Sequence, residues 1–502
     1  MSPRFVSVDE AVAAIPDGAT LAADGFSMMG VAEALLEGIE RAHATSGHPR
    51  DLTVVHSAGQ SNRRDGLEHL AVEGLTSRVI GSHWGMMPRM SGFLGDEGAE
   101  AVCLPQGQMT SLFRAIAGGR PGNLTRIGLH TFVDPRVEGG KVNRRARESS
   151  TDYVELIRLG GEEYLLYRSF PIDVALIRMT SVDADGNGAQ EEEAVRLDAL
   201  AIAQATHNSG GTVICQAKRL VERGSIPPRE VVVPACLVDL VVLAPDPDRQ
   251  HRQTDRAAFD PVYVTPAPVS GGLGAGEAPP AGSRMVIGRR AVRMLGGGGL
   301  INVGTGIPGD TVGPALRELG VEGATLTVES GVYGGTPAGG VDFGIAAHPS
   351  AIISHASQFD FYNGGGLDAS LMGAGQVDGQ GNVNVSRLAR RVIGCGGFID
   401  ITQSTRRVCF LFTFESRHPK FVERVDQLTF SAEAARRTGQ EVFYITERAV
   451  FQLGAGGLRL IEVAPGLDVR ADVIDRLPFP VEVAEPLAVM PAEIFTTAPP
   501  PL

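Results

Sequence analysis

The stretch that decides the fold reads Leu300-Ile301-Asn302-Val303-Gly304-Thr305-Gly306-Ile307-Pro308-Gly309. Its apolar beginning is typical of a buried strand, and Pro308 suits the first turn of a helix. The glycines allow a tight turn and let the backbone approach an anion held by the unpaired N–H groups at the helix start. The sequence therefore predicts a strand, a glycine turn and a helix.

An acidic residue follows this unit at a spacing that supports two interpretations. Glu329 lies twenty residues beyond Gly309, directly after the predicted strand Leu326-Thr327-Val328. In a dinucleotide-binding fingerprint, an acid at this place would hold a ribose. However, Ser330-Gly331-Val332-Tyr333-Gly334-Gly335 surrounds Glu329 with turns and close-approach positions, which favours a reacting carboxylate. The residues by themselves leave both interpretations open.

A similar unit occurs near the N-terminus. Gly25-Phe26-Ser27-Met28-Met29-Gly30 opens a predicted helix over residues 31–41, which leads to the strand 52–55. Further buried strands are predicted at 174–177, 212–215 and 241–243, with a helix at 196–207. This alternation predicts an α/β protein with largely parallel sheets.

The chain divides at a charged stretch rich in proline and glycine, which lacks either periodicity. We predict an N-terminal domain over residues 1–244, a linker over 245–283 and a related C-terminal domain over 284–502. Val55 stands in the first half where Glu329 stands in the second. Two similar folds with one acid suggest one active site between them.

Composition limits the class of partner. The 502 residues are 43% hydrophobic and 21% charged, as in folded globular proteins. The net charge of −13, without a long basic run, predicts no nucleic acid partner and no anionic membrane partner. The five cysteines form no Cys-x-x-Cys pair and the N-terminus has no apolar signal core, so we expect a cytoplasmic protein acting on small molecules.

Common metal and nucleotide motifs do not occur. Gly140-Lys141 is followed by Val142, which excludes a P-loop, and the histidines show no His-Glu-x-x-His spacing. We expect no metal site. His56, His130 and His348 lie beside predicted turns, and we assign them no catalytic role.

Two further glycine clusters add candidate donors. They are Gly364-Gly365-Gly366 and Gly394-Cys395-Gly396-Gly397. Backbone N–H groups at such turns can stabilise an oxyanion, and the side-chain amides of Gln106 and Asn384 can add a donor.

The segments together resemble the family I coenzyme A transferases, and within them the single-chain acetate and propionate CoA-transferases. The resemblance covers nearly the whole chain. The segments that carry it are Gly304-Thr305-Gly306-Ile307-Pro308, Thr327-Val328-Glu329-Ser330-Gly331, Phe359-Asp360-Phe361-Tyr362, Gly364-Gly365-Gly366-Leu367-Asp368, Gly396-Gly397-Phe398-Ile399-Asp400, Pro105-Gln106-Gly107, residues 131–136 and residues 444–448.

The resemblance implies a function and a site. CoA would move between a short-chain acyl-CoA and a carboxylic acid through a glutamyl-CoA thioester on Glu329. Oxyanion and carboxylate contacts would come from Gln106, Gly396, Gly397 and Asn384, and contacts to CoA from Gly304, Gly306, Gly365 and Gly366. CoA is then a co-substrate, with no tightly bound cofactor, and a homo-oligomer is expected.

Two alternatives remain beside this reading. One is an acyl-CoA hydrolase on the same scaffold, and the other is an NAD-binding oxidoreductase that uses the Gly304 turn. The sequence also departs from the family pattern at residues 179–183 and at a shortened stretch near residues 412–421. These departures leave the acyl preference open, whereas Glu329 is intact.

Overall fold

Two ten-stranded sheets organise the protein. The computed structural model describes residues 3–267 and 282–496, and one sheet comes from each side of the gap. The first half contains the strands β1 (Arg4–Phe5), β2 (Thr20–Ala23), β3 (Leu52–Val55), β4 (Thr76–Gly81), β5 (Glu100–Cys103), β6 (Gly122–Thr125), β7 (Val154–Leu159), β8 (Glu162–Arg168), β9 (Val174–Asp183), β10 (Gly188–Ala189), β11 (Thr212–Val221), β12 (Val231–Val233) and β13 (Leu240–Leu243).

Helices cover this sheet and connect its parallel strands. They are α1 (Val8–Ala13), α2 (Glu33–Ser46), α3 (Pro88–Gly95), α4 (Gln106–Ala117), α5 (Arg144–Glu148), α6 (Ala199–Asn208) and α7 (Pro247–Gln250). The strand order is β1-β13-β11-β9-β2-β3-β4-β5, and each neighbouring pair is parallel. The predicted strands at 52–55, 174–177, 212–215 and 241–243 are confirmed.

The second half begins with α8 (Ser283–Leu295) and repeats the scheme. Its strands are β14 (Gly299–Val303), β15 (Ala324–Val328), β16 (Val332–Tyr333), β17 (Thr336–Pro337), β18 (Ala346–Ala347), β19 (Ala351–Ile352), β20 (Ala369–Gly373), β21 (Gln376–Val377), β22 (Val383–Asn384), β23 (Arg387–Leu388), β24 (Arg391–Val392), β25 (Arg407–Leu411), β26 (Glu441–Ile445), β27 (Ala449–Gly454), β28 (Gly457–Val463) and β29 (Glu482–Val489). The later helices are α9 (Ile307–Glu318), α10 (His355–Asn363), α11 (Phe398–Ser404) and α12 (Ala432–Thr438).

The second sheet has a parallel centre with antiparallel pairs on both sides, and its last pair, β28 and β29, is again parallel. Its order is β19-β16-β15-β14-β20-β25-β26-β27-β28-β29, and the run from β15 to β26 is parallel. In this sheet β14 lies between β15 and β20, just as β2 lies between β3 and β9 in the first. The two halves are therefore related α/β units, as predicted.

A repeated turn supports the same relation. Asp183 accepts hydrogen bonds at Oδ1 from the backbone N–H groups of Asp185, Gly186 and Asn187. In the second half, Oδ1 of Asp378 accepts bonds from the N–H groups of Gln380 and Asn382. Each aspartate also receives a bond from the side chain of its asparagine, so both turns are built the same way.

The stretch predicted as a linker is only partly described, since residues 268–281 lie outside the described residues. Residues 245–267 are ordered against both halves. Arg249 pairs with Glu37 of α2, and the backbone N–H of Asp255 donates to Asp342 at 2.8 Å. The predicted linker stays a prediction, and the sequence pattern on which it rests cannot show such long-range contacts.

Candidate active site

The carboxyl ends of the parallel strands from both halves meet around one cavity of about 250 Å³. Ligands of open α/β sheets bind at this edge because the loops that follow the strands converge there. From the first half the lining includes His83 after β4 and Gln106 after β5. From the second it includes Gly304 after β14 and Glu329 after β15.

Glu329 stands at the first position after β15 and opens into this cavity. Ser330 and Gly331 fix its turn: Ser330 donates its hydroxyl to the carbonyl of Gly344, and Gly331 has φ of +105° and lies against the carbonyl of Ile353. Its carboxylate forms no hydrogen bond or ion pair with any described residue. The carboxylate is therefore free to react with a ligand in the cavity.

The surroundings of Glu329 disfavour its charge. Burial, together with the nearby charge of Asp400, raises the pKa of Glu329 to about 8. Asp400 itself accepts hydrogen bonds from the backbone N–H of Gly107 at 3.0 Å and from Gln108 Nε2 at 2.7 Å. A carboxyl group with so perturbed a pKa in a cavity is typical of a functional site.

The turn before α11 lies directly against Glu329. A Cβ atom added to Gly397 would lie 2.6 Å from Glu329 Oε2, so any larger residue there would displace the carboxylate. The N–H of Gly397 has no hydrogen-bond partner among the described residues, whereas the N–H of Gly396 donates to the carbonyl of Ser82 at 2.8 Å. Of the two predicted glycines, Gly397 is therefore the available donor, and Gly396 shapes the turn.

Gln106 reaches the cavity as the first residue of α4. Its backbone N–H donates to the carbonyl of Gly396 at 3.0 Å, which joins the first half to the turn before α11. Its side-chain Nε2 lies 2.9 Å from Nε2 of His355. The structure thus brings Gln106, Gly396, Gly397 and Glu329 together.

The other predicted positions fall into two groups. Gly304 lines the cavity, and Gly306 precedes α9 with φ of +77°. Gly365 and Gly366 instead end α10 and precede β20, which places them at the opposite edge of the sheet from Glu329. They serve that connection, and we leave them out of the proposed site.

Asn384 is also placed elsewhere. Its Nδ2 donates to Gln376 Oε1 and to the carbonyl of Arg387, while its Oδ1 accepts from the N–H groups of Ser386 and Arg387. These bonds occupy the amide within its hairpin, and the neighbouring Val385 lines the cavity instead. Asn384 therefore cannot supply the predicted oxyanion contact.

Sequence reasoning missed His83, His355 and Asp198. His83 lines the cavity, and burial lowers its pKa to about 4, so this ring is neutral. His355 forms a hydrogen bond with the side chain of Gln106, and Asp198 forms one with the other ring nitrogen of His355. No spacing motif marks these residues; the one local signal was the position of His355 at the start of a helix that continues into Phe359-Asp360-Phe361-Tyr362.

One cluster of possible metal ligands occurs among the described residues, formed by Glu33, Glu37 and His69. Although burial opposes it, hydrogen bonds that the ring donates to Glu33 and Glu40 raise the pKa of His69 to about 9. A protonated imidazole does not bind a metal. The cluster is an ion-pair network.

Among the described residues, no helix is long and apolar enough to cross a bilayer.

Comparison with known proteins decides the family. The family model described as Coenzyme A transferase matches residues 5–244. Caffeate CoA-transferase of Acetobacterium woodii is 39% identical over 98% of this chain and 97% of its own length. The chain belongs to the coenzyme A transferase family.

Two further matches extend over nearly the whole CoA-transferase chain. Acetate CoA-transferase YdiF of Escherichia coli K12 is 37% identical, covering 98% of this chain and 95% of that protein. The solved structure of the E. coli O157:H7 YdiF thioester complex with CoA superimposes with a TM-score of 0.90 at 35% identity, covering 99% of this chain and 96% of that one. These matches do not favour a dinucleotide-binding interpretation of the Gly304 turn.

Proposed function

We propose that this protein transfers CoA between a short-chain acyl-CoA and a free carboxylic acid, and that Glu329 carries CoA as a glutamyl thioester. The observation that carries the proposal is the unpaired Glu329 carboxylate beside the free N–H of Gly397 in a cavity between two α/β units. The likeness to CoA-transferases over nearly the whole chain supports the same reaction.

Exchange of one thioester for another needs no ATP, provided that the activation is stored covalently. The Glu329 carboxylate attacks the acyl-CoA carbonyl, the C–S bond breaks, and CoA leaves as a thiolate. The product is a mixed anhydride of Glu329 and the acyl group. The thiolate then attacks the glutamyl carbonyl, which releases the carboxylate of the donor acid and forms glutamyl-CoA. The acceptor acid repeats these steps in reverse.

Each step passes through an oxyanion that the cavity must stabilise. The N–H of Gly397 is the available backbone donor beside the Glu329 carbonyl carbon, and Gln106 adds an amide on the same wall. Removing one such donor in comparable enzymes slows the reaction by about 10²–10³-fold. The site therefore has the donors that this chemistry requires.

The cavity wall also limits the acyl group. None of the described residues that line it is lysine or arginine, and its larger apolar members are Phe26, Met86, Phe343, Met372, Val385, Ile393 and Phe398. A second carboxylate on the acyl chain would lose its hydration without gaining a cation. We therefore propose monocarboxylic substrates such as acetate and propionate. Discrimination between them is weak, because one methylene is worth only about 1–3 kcal/mol.

Incubation with acyl-CoA followed by rapid quenching and peptide mass spectrometry tests the proposal. We expect CoA, less one water, on the peptide that contains Glu329, and no adduct in Glu329→Gln. Labelled acetate should enter acyl-CoA with the wild-type protein alone, and succinate should react much more slowly than propionate. Loss of acyl-CoA without an acceptor acid, with no adduct on Glu329, would instead identify a hydrolase.

We also propose that the protein works in the cytoplasm as a homo-oligomer. The five cysteines are free thiols in the structure, and four of them are buried, which suits a reducing compartment. The family resemblance supports the oligomer. Light scattering of the purified protein measures the mass of the assembly.

A further inference from the structure

A line of buried polar side chains leads from the cavity wall into the first half. Gln106 Nε2 lies 2.9 Å from His355 Nε2, and His355 Nδ1 lies 3.0 Å from Asp198 Oδ2. Ser57 donates its hydroxyl to the same Asp198 oxygen at 2.6 Å. All four side chains are almost completely buried, and His355 comes from the second half while the others come from the first.

The hydrogen-bond partners determine which atoms carry hydrogen. A carboxylate only accepts, so Nδ1 of His355 must carry the proton that faces Asp198. The other nitrogen of a neutral ring is then an acceptor, and the amide of Gln106 donates to it. One N–H of that amide remains without a partner among the described residues, on a side chain that lines the cavity.

A second aspartate, Asp24, contacts the backbone of Asp198. Asp24 accepts the backbone N–H of Asp198 at 2.9 Å, and burial together with the charge of Asp198 raises the pKa of Asp24 to about 7. Asp24 Oδ2 and Asp198 Oδ1 have no hydrogen-bond partner among the described residues. Asp24 therefore holds the backbone of Asp198 in place behind the histidine.

Aromatic rings hold the imidazole in place on its other sides. The ring centre of Phe359 lies 5.4 Å from that of His355, and the ring centre of Phe26 lies 6.3 Å away, both edge to face. His355 also donates its backbone N–H to the carbonyl of Arg196 at 2.9 Å. The ring therefore has one orientation in which it can bond both Asp198 and Gln106.

We propose that His355, held by Asp198, is a positioning residue that fixes the amide of Gln106 so that its free N–H meets the oxyanion or carboxylate in the cavity. The inference rests on the proposed function, because Gln106 matters only if the reaction occurs at Glu329. His355 itself touches no reacting atom. Its effect on the reaction must pass through Gln106.

A double-mutant cycle tests this dependence. We expect Gln106→Ala and His355→Ala each to lower kcat/KM for exchange of labelled acetate into acyl-CoA by about tenfold or more, and the double variant to be no slower than Gln106→Ala. The matched control is His56→Ala. This buried histidine bonds the carbonyl of Ala58 and the indole of Trp84, so its effect should multiply with that of Gln106→Ala.

The conservative variant adds a second readout. In Asp198→Asn the amide oxygen can still accept from His355, so we expect most of the activity to be kept, unlike in Asp198→Ala. If His355→Ala does not fold, Asp198→Ala takes its place in the cycle. The inference would be overturned if the losses of kcat/KM in Gln106→Ala and His355→Ala multiplied in the double variant. It would also be overturned if Gln106→Ala kept the wild-type kcat/KM. A wild-type protein that forms no CoA adduct on Glu329 would instead overturn the proposed function.

Discussion

The carboxyl group of Glu329 must be ionised to attack a thioester, yet its surroundings favour the protonated form. Its pKa of about 8 means that only part of the unliganded protein carries the nucleophile at neutral pH. We expect kcat/KM to rise with pH and to level off above about 8, because this parameter reports ionisations of the free enzyme. Measuring kcat/KM over the pH range 6 to 9.5 tests this expected rise.

The same ionisation links stability to pH. The folded protein holds a proton on Glu329 up to about pH 8, whereas the unfolded chain releases it near the ordinary value of 4.5. The folded state therefore binds more protons in this window, and stability falls as the pH rises through it. Glu329→Gln lacks this loss of stability. The difference between the Tm of the variant and the Tm of the wild type should therefore grow from pH 5 to pH 9. A constant difference would contradict the assigned pKa.

Asp400 both raises the pKa of Glu329 and binds the start of α4. Asp400→Asn removes the charge, so the alkaline rise in kcat/KM should move to lower pH. The variant also places an N–H₂ group against the donors of Gly107 and Gln108. Gln108 cannot turn without losing its bond from Asn123, so one donor is left unsatisfied, at about 1–3 kcal/mol. Denaturant unfolding measures the change in the free energy of unfolding, separately from the pH profile of kcat/KM. If the rise of kcat/KM with pH stayed at the same pH in Asp400→Asn, Asp400 would have no effect on the pKa of Glu329.

The turn before α11 is where the backbone meets the nucleophile. Gly397 has φ of −80°, which alanine adopts without strain, so Gly397→Ala acts only through the new Cβ. That atom would lie 2.6 Å from Glu329 Oε2 and 2.9 Å from the ring of Phe359. We expect kcat to fall by about 10²-fold or more while Tm changes by a few degrees.

A glycine inside α3 supplies the control. Gly92 has open space around its position, so Gly92→Ala should stabilise the protein by about 0.5–1 kcal/mol and leave kcat unchanged. Comparable activity in Gly397→Ala and wild type would exclude this turn from the reaction.

Local pattern predicted the units of the fold well. The run before Gly304 is β14, the helix after Gly306 is α9, and the acid follows β15, because strand and helix periodicities and glycine turns are short-range signals. His355 and Asp198 could not be found this way. They are 157 residues apart, and only packing of one half against the other joins them. Gly365 misled because the sequence does not show at which edge of a sheet a turn lies, and Asn384 misled because it does not show that the amide is occupied within its own hairpin.

The cavity exists only where the two halves are packed together. The N–H of Trp84 donates to the carbonyl of Ile393 at 2.6 Å, and Ser91 donates its hydroxyl to the carbonyl of Val392 at 2.8 Å. Farther away, the N–H of Phe132 donates to the carbonyl of Leu428 at 2.8 Å. Many of these bonds use backbone atoms, so the interface depends on the fold of each half and tolerates change in side chains.

This packing predicts that the connection between the halves is dispensable. We expect chains of residues 1–267 and 282–502, expressed together, to copurify and to transfer CoA, because each carries a complete sheet and the family model already ends at residue 244. Joining two binding units raises their effective concentration without adding contacts, so the split pair should match the intact rate at concentrations above its Kd. Glu329→Gln in the second chain is the control and should abolish transfer. Soluble pieces that do not associate would show that residues 268–281 are needed for assembly, against the predicted division of the chain into two domains.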